Sequence, residues 1–275
     1  MKKLLTYKQW LGRNSLTIGI AAALVSSVFT FGVSAAVPQS LCDGQVVTVD
    51  IGQGQQPTNG NDVILGTNGA DVINAGRGND IICGLGGDDT INGGVGADRI
   101  FGGSGNDTIN GGNGVDLIFG NGGADVIDGG NNADTIFGNG GDDTIFGGSG
   151  NDILNGNRGR DTIRSGGGNN TLNGGGGEDD LSVGFSANGS FVLGDDGGNN
   201  ILIGGGGDDF IADGTGNDSI FGGNGDDTIF AFVGADVIDG GNGFDIADTG
   251  NTNDSGGDGN DSTINVEIVD PDFSL

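Results

Sequence analysis

Past an apolar N-terminal stretch, the chain carries a strict pattern: one aliphatic residue every nine positions, each two residues after an acid. Ile64, Ile73, Ile82, Ile91, Ile100, Ile109, Ile118, Ile127, Ile136, Ile145, Leu154 and Ile163 keep this phase without a slip. Asp62, Asp71, Asp80, Asp89, Asp98, Asp107, Asp116, Asp125, Asp134, Asp143, Asp152 and Asp161 keep it with them. The phase continues weakly through Asn170/Leu172 and Asp179/Leu181, breaks, and resumes shifted by three residues. The second run is Asn200/Leu202, Asp209/Ile211, Asp218/Ile220, Asp227/Ile229, Asp236/Ile238 and Asp245/Ala247.

A period of nine fits neither an amphipathic helix nor one long strand. Within a unit such as Gly102–Asn110, six glycine-rich residues ending in Asp predict a turn. The last three predict a short strand whose central aliphatic points inward while its neighbours point out. One unit cannot bury its own Ile, so the pattern is stable only as a stack. Two units then make one coil. The expected fold is all-β: a right-handed parallel β-roll, a β-solenoid whose two short-strand parallel sheets meet in a thin core.

Composition sharpens this picture. The chain has 275 residues with 65 Gly and only 3 Pro, and its net charge is -29. So few prolines exclude a collagen helix. All but two of the 38 acids are Asp, the exceptions being Glu178 and Glu267, which suits carboxylates held on short stems in tight turns. There is no His, which excludes His-dependent triads, His acid–base catalysis and His-ligated zinc. Such negative charge repels nucleic acid and anionic membrane surfaces and attracts cations.

Stacking places turns two units apart over one another. Carboxylates about 5 Å apart repel by roughly 0.8 kcal/mol in water and by more at lower dielectric. The stack is therefore expected to close around cations. Hard oxygen donors in number, with no His and no Cys in the turns, select Ca2+ over zinc or copper. The expected metal ligands are Asp89, Asp98, Asp107, Asp116, Asp125, Asp134, Asp143, Asp152, Asp161, Asp209, Asp218, Asp227, Asp236 and Asp245.

The pattern Gly-Gly-x-Gly-x-Asp-x-aliphatic-x resembles the calcium-binding nonapeptide of the repeats-in-toxin (RTX) family, also known as haemolysin-type repeats. Units ending at Asp107, Asp152, Asp227 and Asp245 match it in full. The resemblance implies a β-roll with Ca2+ shared between turns two repeats apart. Carry-over is weakest at Asn170 and Asn200, which lack the carboxylate, and at Asp62, Asp71 and Asp80, whose leading glycines are partly replaced.

The rest of the chain reads as flanking segments. Residues 1–36 resemble a secretory signal peptide: Lys2, Lys3, Lys8 and Arg13, an apolar run from Leu16, then Val33-Ser34-Ala35-Ala36. A cap is expected over 37–56, repeat blocks over 57–181 and 199–248, an irregular insert over 182–198 and a C-terminal cap over 249–275. There Val266–Val269 is expected to close the last coil. Export predicts a disulfide between Cys42 and Cys83, pinning the N-terminal cap.

Outward positions sort by parity. Phe101, Phe119 and Phe137 form one column, readable either as a surface for self-association or a cell-surface partner, or as stacking that stiffens the sheet. The other face carries Thr90, Thr108, Thr144 and Thr162, interrupted by Val126, Asp128 and Phe146. The expected function is a secreted, bacterial, extracellular calcium-binding module with no enzymatic role and no membrane insertion after signal removal. The rivals are a β-solenoid polysaccharide-active enzyme and an ice- or crystal-surface binder.

Overall fold

Each nine-residue unit lays one pass of chain across a thin roll, and the next unit returns along the opposite side. The computed structural model describes residues 41–182, 198–232, 234–248, 262–264 and 268–269. The expected signal peptide and most of the expected insert lie outside them. Among the described residues, passes such as Ile81–Gly86, Arg99–Ser104 and Leu117–Gly122 join a 12-stranded sheet. The alternate passes, such as Thr90–Val95 and Thr108–Asn113, join an 11-stranded one. The repeat pairings are parallel, in a register that sets Ile82 beside Ile100 and Ile91 beside Ile109. The fold is an all-β parallel β-roll.

Alternation along each strand makes the core. In Thr108–Asn113 the outer residues are exposed while Ile109 and Gly111 are buried. The repeat aliphatics from Ile64 to Ala247 form one continuous buried column pair. The strands run to six residues through most of the roll, not the three expected. The glycine turn itself pairs with the turn one coil on, Gly103 with Asn121 and Ser104 with Gly122, because only backbone occupies the interior there.

The phase shift in the sequence leaves the sheets continuous. Leu172 pairs with Leu202 and Leu181 with Ile211, steps of thirty residues where every earlier coil takes eighteen. Each of these steps is twelve residues longer, one unit plus the three-residue slip in phase. From Asp180–Ser182 as far as Ile246–Asp248 the strands of the 11-stranded sheet shorten to three residues. The other sheet keeps six as far as Val237–Asn242.

The N-terminal cap is a small hairpin, Leu41–Cys42 against Gln45–Val46. Its two-residue loop, Asp43-Gly44, has positive φ at both positions, as a tight hairpin turn of this handedness requires. Val49–Asp50 then pairs with Val63–Leu65, and Val49 covers the first coil of the core. Within the expected cap Gln45–Val46 and Val49–Asp50 are thus two separate short strands. Cys42 and Cys83 form a disulfide, and Asp43 pairs with Arg99. A covalent loop of this span is worth about 4 kcal/mol on chain-entropy grounds. At the C-terminal end Ser262–Ile264 and Ile268–Val269 extend the two sheets; Val266 and Glu267 of the expected strand lie outside the described residues. Among the described residues no helix is long and apolar enough to cross a membrane.

Candidate metal sites

Each motif Asp stands two residues before its Ile and so points to the same side of the chain, inward. Asp80, Asp98, Asp116, Asp134 and Asp152 form a row along one edge of the roll, each no more than 2% exposed. Asp89, Asp107, Asp125, Asp143, Asp161, Asp179, Asp209, Asp227 and Asp245 form the row along the other edge, equally buried. The sequence places these groups at turn corners; the structure places them inside the corners.

Their two oxygens are used differently. Oδ1 accepts the backbone N–H of the motif residue one coil earlier, Asp107 N–H to Asp125 Oδ1 and Asp125 N–H to Asp143 Oδ1, both at 2.8 Å. Oδ2 is buried and has no hydrogen-bond partner in Asp80, Asp89, Asp98, Asp107, Asp116, Asp125, Asp134, Asp143, Asp152, Asp161, Asp179, Asp209, Asp218 and Asp227. Buried polar atoms without partners are rare in folded proteins, and a repeating row of them needs a ligand to explain it. In most units the first residue is a glycine that crowds this oxygen. A Cβ on Gly93 would lie 2.6 Å from Asp98 Oδ2 and 2.7 Å from the carbonyl oxygen of Gly111. Carboxylate and carbonyl oxygens from successive coils therefore converge there, which is the hard-oxygen donor set that Ca2+ takes.

Electrostatics agree with that reading. Burial pushes Asp134, Asp143 and Asp209 up to about 7, with neighbouring carboxylates adding to the rise against the pull of the backbone hydrogen bond. Asp80, Asp89, Asp98, Asp125, Asp161 and Asp227 are pushed up to about 6, first by burial. The rows are a poor home for bare negative charge.

Four turns escape the problem, in two ways. Asp62 Oδ2 accepts from both the N–H and the hydroxyl of Thr58, and Asp71 Oδ2 accepts the same pair from Thr67. These open the two rows and are satisfied by protein alone. Asn170 and Asn200 keep the Oδ1 bond, accepting from Asp152 N–H and Asn170 N–H at 2.8 Å. Their Nδ2 groups donate instead to turn carbonyls, Asn170 to Gly168 at 3.2 Å and Asn200 to Gly198 at 3.1 Å. The amide hydrogen thus takes a place among the oxygens that a cation takes elsewhere.

Of the sequence-expected ligands, every one from Asp89 to Asp245 is buried in these rows. Three residues outside that set also bear on the rows. Asp80 and Asp179 hold the same bonds as their neighbours; the full glycine set Gly174-Gly175-Gly176-Gly177 was a usable signal for the second. The third is Asp213, off the nine-residue phase, whose carboxylate oxygen comes within 4.8 Å of those of Asp218 and Asp236. A second stitch also went unread. The residue before the motif Asp accepts an N–H from one coil on, as Asn79 does from Ala97 and Asp88 from Asn106.

A parallel β-roll with two interior rows of coil-bridging carboxylates defines a class: solenoids assembled from nonapeptide turns. The chain belongs to the RTX calcium-binding nonapeptide repeat family, whose repeat profile matches segments spanning residues 57–181 and 195–247, and it is a calcium-binding repeat protein. No curated protein matches the chain.

Proposed function

We propose that this protein is a secreted structural or interaction module whose roll orders when Ca2+ enters the two carboxylate rows. The ligands are the side chains of Asp89, Asp98, Asp107, Asp116, Asp125, Asp134, Asp143, Asp152, Asp161, Asp209, Asp218, Asp227, Asp236 and Asp245, to which we add Asp80 and Asp179. The observation that carries this is the run of buried Oδ2 atoms without hydrogen-bond partners. When bound, Ca2+ supplies charge neutralisation between coils. The chain's own contribution is to fix each Oδ1 on the coil before and to bring turn carbonyls close, which a first-position glycine allows in most units.

The role is non-catalytic: the buried acids repeat along the roll in motif positions instead of gathering in one cleft. A signal over residues 1–36, a disulfide and millimolar extracellular Ca2+ are mutually consistent and favour export from a bacterial cell. The Phe101, Phe119 and Phe137 rings stack on one another at centroid spacings of 5.1 Å, with Arg99 over the first. Their faces are covered by each other, which favours stiffening of the sheet over capture of a partner. Circular dichroism of the exported form with and without Ca2+ tests the reading. Chelation is expected to shift the β spectrum toward coil and to lower the melting temperature, Mg2+ to restore neither, and an unchanged spectrum and melting temperature would overturn the proposal.

A further inference from the structure

Asp213 occupies the place that the first glycine holds in most turns. At the matching position of the neighbouring turns, Gly204 and Gly222 abut Oδ2 of Asp209 and Asp227 so closely that no Cβ fits. Among the described residues Pro57, Ala75, Ser165 and Ala231 also replace this glycine, but only Asp213 brings a carboxylate. It is 2% exposed, as is Asp218, and Asp236 is 1% exposed. One oxygen from each of the three lies within 4.8 Å of the others.

Backbone N–H donors from successive coils hold the trio in place. Asp213 Oδ1 accepts the N–H of Phe232 at 2.7 Å, and Asp236 Oδ1 accepts the N–H of Asp218 at 2.8 Å. Asp218 Oδ1 accepts the N–H of Asn200 at 2.6 Å, while its Oδ2 is buried with no hydrogen-bond partner. Residues 198–248 contain no Lys or Arg. Three buried carboxylates at this spacing, with no cationic side chain in the segment, fit a bound cation.

We infer that Asp213, Asp218 and Asp236 form a three-carboxylate Ca2+ site of higher affinity than the repeat sites. It rests on the reading of the rows as Ca2+ sites, and Asp213 is the departure from the repeat that sets this one apart. Affinity of oxygen sites for Ca2+ rises with the number of charged ligands. The site also stands directly after the two asparagine turns, so it is the first cation position of the resumed row. Filling it first would anchor the second block before the weaker positions load.

Calorimetric titration of the full exported chain with Ca2+, with a competing chelator, tests this. The unchanged chain should show a tight class of one ion above a weaker, more numerous class. Asp213→Gly, which restores the repeat's own residue and so keeps the fold, should weaken that tight ion on the order of tenfold or more. Asp213→Asn should do the same. Either variant titrating like the unchanged chain, or an unchanged chain with only one weak class, would overturn this inference while leaving the repeat sites standing. Absence of all Ca2+ uptake by the unchanged chain would overturn both.

Discussion

The two edges of the roll are built from the same nonapeptide and differ in one respect. Along one, motif carboxylates run from Asp89 to Asp245 with every position an Asp. Along the other, the run from Asp80 to Asp152 stops at Asn170 and Asn200 and restarts at Asp218. Both edges keep the cross-coil Oδ1 bond, so that bond alone cannot be what requires a cation. What differs is the second atom: an oxygen facing other oxygens, or an N–H that satisfies them. Burial raises carboxylates on both edges, Asp143 and Asp209 on one and Asp134 and Asp152 on the other, so it does not tell the edges apart. The contrast separates the architectural role of the side chain from its metal-binding role.

That separation can be broken most severely at Asp143. Truncation by Asp143→Ala leaves the N–H of Asp125 buried without its acceptor and removes a ligand, and should cost about 3 kcal/mol in saturating Ca2+ by denaturant titration. Asp143→Asn keeps the acceptor, so in chelator it should be more stable than the unchanged chain and in Ca2+ less so. Equal behaviour of the two variants in both conditions would refute the division of labour. Next in size, Asn170→Asp with Asn200→Asp would join the interrupted row. In chelator this should lower stability by about 2 kcal/mol, and in Ca2+ the chain should take up more ions by calorimetry.

A smaller effect is expected from protons. The folded form holds protons on Asp134, Asp143 and Asp209 up to about pH 7, where the unfolded chain has released them from near 3.8 upward. Raised carboxylates favour folding below the unfolded value, and that contribution is lost as pH rises through about 7. Without metal, the denaturation midpoint should therefore be higher at pH 5 than at pH 8; the opposite order would contradict the burial of these groups. The smallest change is Thr67→Val, which strips the hydroxyl donor from Asp71 Oδ2 while leaving the N–H. It should cost about 1 kcal/mol with or without Ca2+, since this turn is satisfied by protein alone.

Much of this was legible in the chain. The nine-residue phase gave the roll, the inward Ile columns and the eighteen-residue stacking, because burial of one aliphatic per pass is a strictly periodic demand. The cysteine pairing followed from there being only two. Strand length was not legible, since glycine carries no signal for whether its backbone pairs. Nor were the roles of Thr58, Thr67 and the Asn170/Asn200 amides. A missing carboxylate reads as a weakened repeat, and only the hydrogen bonds reveal a turn that needs no metal. Asp213 escaped because it lies out of phase, and its neighbours Asp218 and Asp236 are brought to it by stacking alone.

The thirty-residue step after Leu172 and Leu181 has a consequence for what such a scaffold can carry. Leu172 pairs with Leu202 and Leu181 with Ile211 in the same register as residues eighteen apart elsewhere in the roll. A joint of this kind leaves the ladders indifferent to how many residues separate the coils in the chain. Foreign sequence could be spliced there, one passenger per joint, and no rung above or below would have to be redrawn.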